Sequence, residues 1–383
     1  MQPRRGCDSE ATTGWRICFP LAFAGDRRSP TAHRRGLPAR ASGEFRRARL
    51  DAGSRHDVTM TALPAGFRIG HWTDPDGRTG CTVVIPPPGA RGGVDIRGGG
   101  TGTREIETLS PLANAEGPTA VLLTGGSAFG LAAADGVARW LEERGFGRPT
   151  PMGTVPLVPA AVIYDLAEGG AGRRPGPDEG YRACDNASAA VPERGPVGAG
   201  AGAAVGKLFG RERSTPGGLG YAGTVLADGR VVAAVAVANA FGDVIAEDGT
   251  VLGGPHADGG RPVRTTDLLP GMPIPPGMPV PPSQASGAEG SEGNTTLVCV
   301  LTDASLDKRS CAIVARMASA GIARAVVPVF TPVDGDVVFC VASGSEPPPP
   351  PGLEATWALT VLGTVAATVT AQAIRDAVLA RVP

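Results

Sequence analysis

Gly287-Ala288-Glu289-Gly290-Ser291-Glu292-Gly293-Asn294-Thr295-Thr296-Leu297-Val298-Cys299-Val300 is a run in which small, turn-forming residues give way at one peptide bond to an apolar stretch. Gly-Asn followed by Thr-Thr-Leu-Val-Cys-Val is the pattern of a turn entering a buried strand, and that reading needs no function. The first residue past the seam nevertheless carries a hydroxyl, which is a weak nucleophile until a neighbouring base takes its proton. If the Asn294–Thr295 bond were cut, Thr295 would become an N-terminus, and its own free amine would be that base. Upstream lies Pro270-Gly271-Met272-Pro273-Ile274-Pro275-Pro276-Gly277-Met278-Pro279, an extended linker by composition. Downstream lies an acidic turn, Asp334-Gly335-Asp336. On these residues alone the plain strand and the cut site both stay open.

The rest of the composition narrows the chemistry. A formal net charge of −1 gives no electrostatic reason to expect nucleic acid or an anionic membrane as partner. Seven cysteines, at 7, 18, 81, 184, 299, 311 and 340, are widely spaced with no C-x-x-C pair, which reads as a reduced, cytoplasmic chain without a zinc site. Four histidines, at 33, 56, 71 and 256, form no ligand cluster. A histidine-based triad or metal centre is therefore disfavoured, and no cofactor is expected. Glycine (57) and proline (37) approach low-complexity levels, but the prolines fall in discrete tracts, so ordered segments joined by linkers are expected.

Residues 1–59 hold twelve arginines against six acids with no sustained apolar period, and read as a disordered basic extension. Met60 opens the well-patterned part and would serve as a start. Phe67-Arg68-Ile69-Gly70-His71-Trp72 and Cys81-Thr82-Val83-Val84-Ile85 flank an Asp-Gly step, which predicts a hairpin, and a further strand is expected over 92–97. The run 120–127 followed by 128–143 reads as strand, glycine turn and helix, with Leu131, Ala134, Val137, Ala138 and Leu141 on one face. Gly125-Gly126-Ser127 could cradle phosphate, but it lacks both the dinucleotide spacing and a P-loop lysine, and packing a helix onto a sheet needs glycine equally well. A polar loop is expected over 168–179, and residues 198–210 are rich in glycine and alanine with Lys207 inside. A second hairpin is expected from Gly223 to Asn239, turning at Asp228-Gly229. Asn239 closes a strand, where it is either a turn former or an amide aimed into a site. The linker is expected to run from about 254 to 294. Helical periods follow over 306–327 and 353–382, the second read as a buried helix because Glu354, Gln372 and Arg375 flank its apolar part closely.

Taken in order, Thr124-Gly125-Gly126-Ser127-Ala128-Phe129-Gly130-Leu131, Val155-Pro156-Leu157-Val158-Pro159-Ala160-Ala161-Val162-Ile163-Tyr164-Asp165-Leu166, Gly198-Ala199-Gly200, Asn294-Thr295-Thr296, Thr302-Asp303-Ala304 and Thr331-Pro332-Val333-Asp334-Gly335-Asp336 resemble the self-processing L-aminopeptidase/D-Ala-esterases and β-peptidyl aminopeptidases of the DmpA type. The resemblance spans roughly 64–344. It implies an α/β fold, a four-layer α/β/β/α sandwich of the N-terminal-nucleophile kind, in which 60–294 supply an α chain and 295–383 a β chain of the same domain. It implies a cut between Asn294 and Thr295, with Thr295 as nucleophile, and an autoprocessed aminopeptidase or amidase-esterase acting on short peptides, amides or esters. Tyr164 and Asn239 match positions lining the oxyanion region. Asp334 and Asp336 match a polar and acidic pair that orients the nucleophile and its amine, although some members carry Ser at the position of Asp334. Asp336 would also suit a substrate's free amine, and Gly125 and Gly126 are expected on the substrate-binding side. A homo-oligomer of cleaved α/β units is expected. Two other classes stay open: an ornithine acetyltransferase-like acyl transferase, which the acidic turn fits less well, and a non-enzymatic glycine-rich ligand-binding protein.

Overall fold

The run Val231–Asn239 is buried almost from end to end, and its side chains alternate between two cores. Ala233, Val235 and Val237 face one, whereas Val232, Ala234, Ala236 and Ala238 face the other. A strand buried on both faces must sit inside a layered protein, because successive side chains point to opposite sides of the sheet. The computed structural model describes residues 63–76, 78–166, 173–257, 260, 262–272, 293–344 and 351–380. The chain divides into two units, Met1–Gly53 and Ser54–Pro383, and every described residue belongs to the second. The extension expected over 1–59 lies outside the described residues, as do 273–292 of the expected linker.

We number the principal strands β1 (Arg68–Thr73), β2 (Gly80–Ile85), β3 (Arg91–Ile96), β4 (Thr103–Arg104), β5 (Val121–Thr124), β6 (Ala160–Val162), β7 (Gly218–Val225), β8 (Val231–Asn239), β9 (Thr295–Thr302) and β10 (Val337–Ala342). The longer helices are α1 (Ala133–Glu142), α2 (Pro177–Asp185), α3 (Lys308–Ala325) and α4 (Leu353–Leu379). One sheet runs β1-β2-β5-β6-β4, the other β7-β8-β9-β10-β3. Their facing sides enclose a core of Ile69, Leu123, Ile163, Tyr221, Val235, Leu297 and Phe339. The outer side of the first sheet packs Val83 and Leu122 against Val137, Trp140 and Leu141 of α1 and Cys184 of α2. The outer side of the second packs Val298, Val300 and Val338 against Val314 and Ile322 of α3 and Val369 and Ile374 of α4. Helix, sheet, sheet, helix is the expected α/β/β/α sandwich.

Both expected hairpins form, as β1–β2 and β7–β8. The expected strand over 92–97 is β3, and it pairs not with its sequence neighbours but with the edge of β10. The helix expected over 128–143 is broken into a short turn, Ser127–Gly130, and α1. Gly126 and Ser127 have φ of 81° and 53°, and Gly130 lies so close to the Gly125 carbonyl that a side chain there would collide with it. The polar loop expected over 168–179 ends early, because Pro177 stands at the first helical position and Glu179 Oε2 accepts the Gly176 amide at 3.0 Å, which starts α2. The expected linker also needs correction: Thr265–Leu268 is helical, and Asp243 accepts the Thr265 backbone N–H at 2.7 Å, tying that segment to the sandwich. Helix α4 is long and apolar enough to cross a membrane, but half of its most apolar window is buried inside the protein.

The chain contains two lysines among 36 basic residues, Lys207 and Lys308, and both are buried. Lys308 opens α3 and donates to the Thr108 carbonyl at 2.7 Å and the Ala113 carbonyl at 3.1 Å, with the Ala115 carbonyl closer still. It thereby pins the loop before β5 from inside. Lys308→Met leaves those carbonyls without their shared donor. It is expected to lower the unfolding free energy by about 2–4 kcal/mol, the scale for stranding buried polar groups. Chemical denaturation of the two proteins checks this.

Candidate active site

β9 begins at Thr295 in the middle of the second sheet, between β8 and β10. Its antiparallel register sets Asn239 opposite Thr295, and its parallel register sets Val337 opposite Leu297. The end of β8, the start of β9 and the turn before β10 therefore converge on the Asn294–Thr295 bond. Thr295 is 4% exposed and Asn294 is 1% exposed. The Thr295 hydroxyl donates to the Asn294 carbonyl oxygen, which places Oγ beside the carbon it would attack. That same oxygen accepts the Gly335 backbone N–H at 2.7 Å. Gly335 has to be glycine, because a Cβ there would stand 2.8 Å from Thr295 Oγ.

The acidic turn is held by backbone donors from three segments. Asp334 accepts from the Phe241 and Thr331 amides, each at 3.1 Å. Asp336 accepts the Thr296 amide at 2.6 Å and the Phe330 amide at 3.3 Å. Its bond to the residue after Thr295 fixes the start of β9 relative to the turn. Behind the turn, Gly100 donates to the Asp334 carbonyl at 2.8 Å, and a Cβ on Gly98 would overlap the backbone of Asp334 and Asp336. The tract at 98–100 is thus a glycine bed for the acidic pair.

Burial, reinforced by the Asp334 charge, pushes the Asp336 carboxyl up to about 7 from the ordinary carboxylate value. Between about pH 4 and 7 the folded protein keeps a proton that the unfolded chain has released, so stability falls as pH rises through that window. Asp334→Asn removes the neighbouring charge. In the uncut Thr295→Ala protein, the Asp336 carboxyl followed by ¹³C NMR should then titrate below its midpoint with Asp334 present. An unmoved midpoint would leave burial as the whole cause.

On the other side of the bond lies Lys207, which the sequence reading passed over. Its ammonium donates to the Asn239 backbone carbonyl at 2.9 Å, the Asn239 side-chain oxygen at 2.8 Å and the Gly293 carbonyl at 3.4 Å. The Asn239 side-chain oxygen also accepts the Ala204 amide at 3.1 Å. With its oxygen held from two sides, Asn239 turns Nδ2 toward the Gly293 carbonyl at 3.2 Å. The Asn239 amide thus meets the carbonyl one residue before the Asn294–Thr295 bond, and Gly335 meets the carbonyl of the bond itself. Tyr164 packs against Gly293 so tightly that a Cβ on Gly293 would fall 2.1 Å from Tyr164 Cβ. If the seam is a cut site, Gly293→Ala is expected to slow the cut by about a hundredfold, the scale of a displacement on the order of 1 Å at the reacting atoms; a time course on gels measures it.

Gly125 and Gly126, expected on the substrate-binding side, stand in the turn between β5 and the short helical turn Ser127–Gly130. The atoms nearest Gly125 belong to Asp165 and Thr79, and the Gly126 amide donates to Asp165 Oδ1 at 2.6 Å. Gly126 also packs against Arg174 and Pro175. They build the turn before α1. His71 is half-buried, and desolvation of its ring lowers its pKa to about 4, so the ring is neutral at neutral pH. Among the described residues no group of three or more His, Cys, Asp or Glu side chains could hold a metal ion.

Four layers with a hydroxyl residue opening the central strand of an inner sheet are the N-terminal-nucleophile hydrolase arrangement. The solved L-aminopeptidase D-Ala-esterase/amidase of Ochrobactrum anthropi, whose description places it as a variant of that fold, superposes with a TM-score of 0.61 at 17% identity, covering 84% of this chain and 86% of that one. A Burkholderia sp. beta-aminopeptidase superposes with a TM-score of 0.59 at 22% identity, covering 84% and 87%. Residues 64–382 match the family model of peptidase family S58, and the chain belongs to that family. An uncharacterized aminopeptidase of Mycobacterium tuberculosis is 40% identical over 334 residues, covering 82% of this chain and 92% of the relative. A 6-aminohexanoate-oligomer endohydrolase of Paenarthrobacter ureafaciens is 30% identical over 315 residues, covering 82% and 83%. The chain is a hydrolase of the peptidase class, with aminopeptidase or amidase activity.

Proposed function

We propose that the chain cuts itself between Asn294 and Thr295 and then works as an N-terminal-nucleophile aminopeptidase and amidase-esterase on small peptides, amides or esters, with Thr295 as nucleophile. The observation that carries this is the Asn294 carbonyl, held between the Thr295 hydroxyl and the Gly335 N–H at 2.7 Å. In the first reaction Thr295 Oγ adds to the Asn294 carbonyl carbon, and negative charge gathers on an oxygen that already has a backbone donor. The C–N bond then breaks, the Thr295 nitrogen takes up the proton, and the chain is joined through an ester. Water opens the ester, leaving an Asn294 carboxylate, a free hydroxyl and a free Thr295 amine.

In turnover the amine removes the Oγ proton as Oγ adds to the substrate carbonyl. The leaving amine or alcohol departs with that proton, and water releases the acyl group. Gly335 N–H serves the oxyanion again, because the acyl carbon occupies the place Asn294 held. Asp336, through the Thr296 amide, and Asp334, through Phe241 and Thr331, keep the nucleophile and turn in register. Lys207 aims Asn239. The scheme uses neither a metal nor a cofactor.

The acyl-transferase reading differs only in the acceptor, water or an amine. Release of p-nitroaniline from leucine p-nitroanilide by the cut protein, without added ornithine or glutamate, tests the hydrolase. Turnover that appears only with such an amine acceptor would favour the transferase. Cytoplasmic residence and assembly of cut α/β units into a homo-oligomer complete the proposal. Light scattering of the purified protein tests the latter.

A further inference from the structure

The uncut chain is its own first substrate, so the two residues before the seam mark where a substrate's acyl side lies. This inference rests on the reading of Thr295 as nucleophile. In the ester formed during self-cutting, Asn294 is bound to Thr295 Oγ as a substrate's acyl group is during turnover, and the contacts of Gly293 and Asn294 describe the acyl-side pockets.

Two features of those contacts stand out. The Gly293 carbonyl, one residue beyond the reacting carbonyl, is met by two buried donors, Asn239 Nδ2 at 3.2 Å and Lys207 Nζ at 3.4 Å. Lys207 is 5% exposed and Asn239 fully buried, so this carbonyl is gripped inside the protein. A donor pair of this kind is left facing the vacated place once the α-chain terminus leaves, and a carbonyl at that position satisfies it. The Asn294 side chain is the opposite case. It is buried, yet both its amide oxygen and its amide nitrogen have no hydrogen-bond partner among the described residues. Its pocket accepts the shape of asparagine and offers nothing to its polar atoms. Leucine has the same branching at Cγ without those atoms. The Asn294 backbone N–H donates to the Val333 carbonyl at 3.4 Å, a contact that either an amide N–H or a free amine can make.

We propose that the acyl side of this site takes an N-acylated aminoacyl group with an aliphatic side chain, so that the enzyme cuts amide bonds inside a chain as well as behind a free terminal amine. The Lys207–Asn239 pair is the feature that reads the extra carbonyl. The mismatch at the Asn294 side chain serves the same end, because a buried, unsatisfied amide favours departure of the α-chain terminus from the pocket.

Four p-nitroanilides, offered to the cut wild-type protein, test this without any variant that could fail to fold: leucine, N-acetyl-leucine, 4-methylpentanoyl and N-acetyl-asparagine. The acetyl carbonyl of the second stands where the Gly293 carbonyl was, and the third keeps the aliphatic chain without it. Expected is a kcat/KM for N-acetyl-leucine at least about tenfold above that for 4-methylpentanoyl, the scale of a hydrogen bond to a charged donor. A similar margin is expected over N-acetyl-asparagine, from the stranded amide. Release from leucine p-nitroanilide with none from N-acetyl-leucine would overturn the inference while leaving the nucleophile reading intact. Equal rates for the acetyl and 4-methylpentanoyl compounds would overturn the carbonyl grip. No release from any of the four would overturn the nucleophile reading and the inference together.

Discussion

Thr295→Ala is expected to give a single, uncut, folded chain whose amide hydrolysis is lower by about 10⁴-fold or more, the scale for deleting a catalytic nucleophile. Two reactions disappear with one oxygen. Without Oγ nothing adds to the Asn294 carbonyl, and without the cut there is no terminal amine to act as base. The fold should survive, because Thr295 contributes one hydroxyl to a strand whose stability comes from Leu297, Cys299 and Leu301 on one face and Val298 and Val300 on the other. Thr295→Ser keeps the hydroxyl and should still cut. Gel analysis, a thermal melt and p-nitroanilide kinetics separate these outcomes. A Thr295→Ala protein that is cut normally would place the nucleophile elsewhere.

Lys207→Met should have the next largest effect. The ammonium bonds both the backbone and the side-chain oxygen of Asn239, at 2.9 and 2.8 Å, and this leaves Asn239 Nδ2 aimed at the acyl side. Removing it frees the Asn239 amide to rotate and strips one donor from the Gly293 carbonyl. Self-cutting and turnover should each fall by about 10²- to 10³-fold, the scale for losing a preorganised donor. Lys207→Arg should rescue little, because a planar guanidinium cannot replace a compact ammonium among three close acceptors. A lowered melting temperature with unchanged kcat per cut molecule would make Lys207 structural only.

The layers were legible because strand burial writes itself into period-two patterns and helices into longer ones. The seam at Asn294 was legible for the same reason: polarity ends abruptly where β9 enters the sheet. Lys207 carried no such pattern. It sits in a loop, and its partners Asn239 and Gly293 are 32 and 86 residues away in sequence. One signal was available in the composition, since a chain that otherwise uses arginine keeps lysine at only two positions, and at both the ammonium is buried among oxygen acceptors. Gly335 was hidden differently. Between two aspartates it read as a turn former, and its amide on the Asn294 carbonyl depends on β9 and β10 being parallel neighbours, a pairing that no local pattern announces. Asn239 reads as the end of a strand, but which carbonyl its amide meets depends on the β8–β9 register, which local sequence does not carry.

The central claim is that this chain makes its own catalytic terminus at Thr295. Intact mass and N-terminal sequencing of the purified protein after incubation test it most directly. Two fragments are expected, the smaller covering 295–383 and reading Thr-Thr-Leu-Val from its first residue. A single chain that stays whole on long incubation, or a new terminus at any other residue, would contradict it.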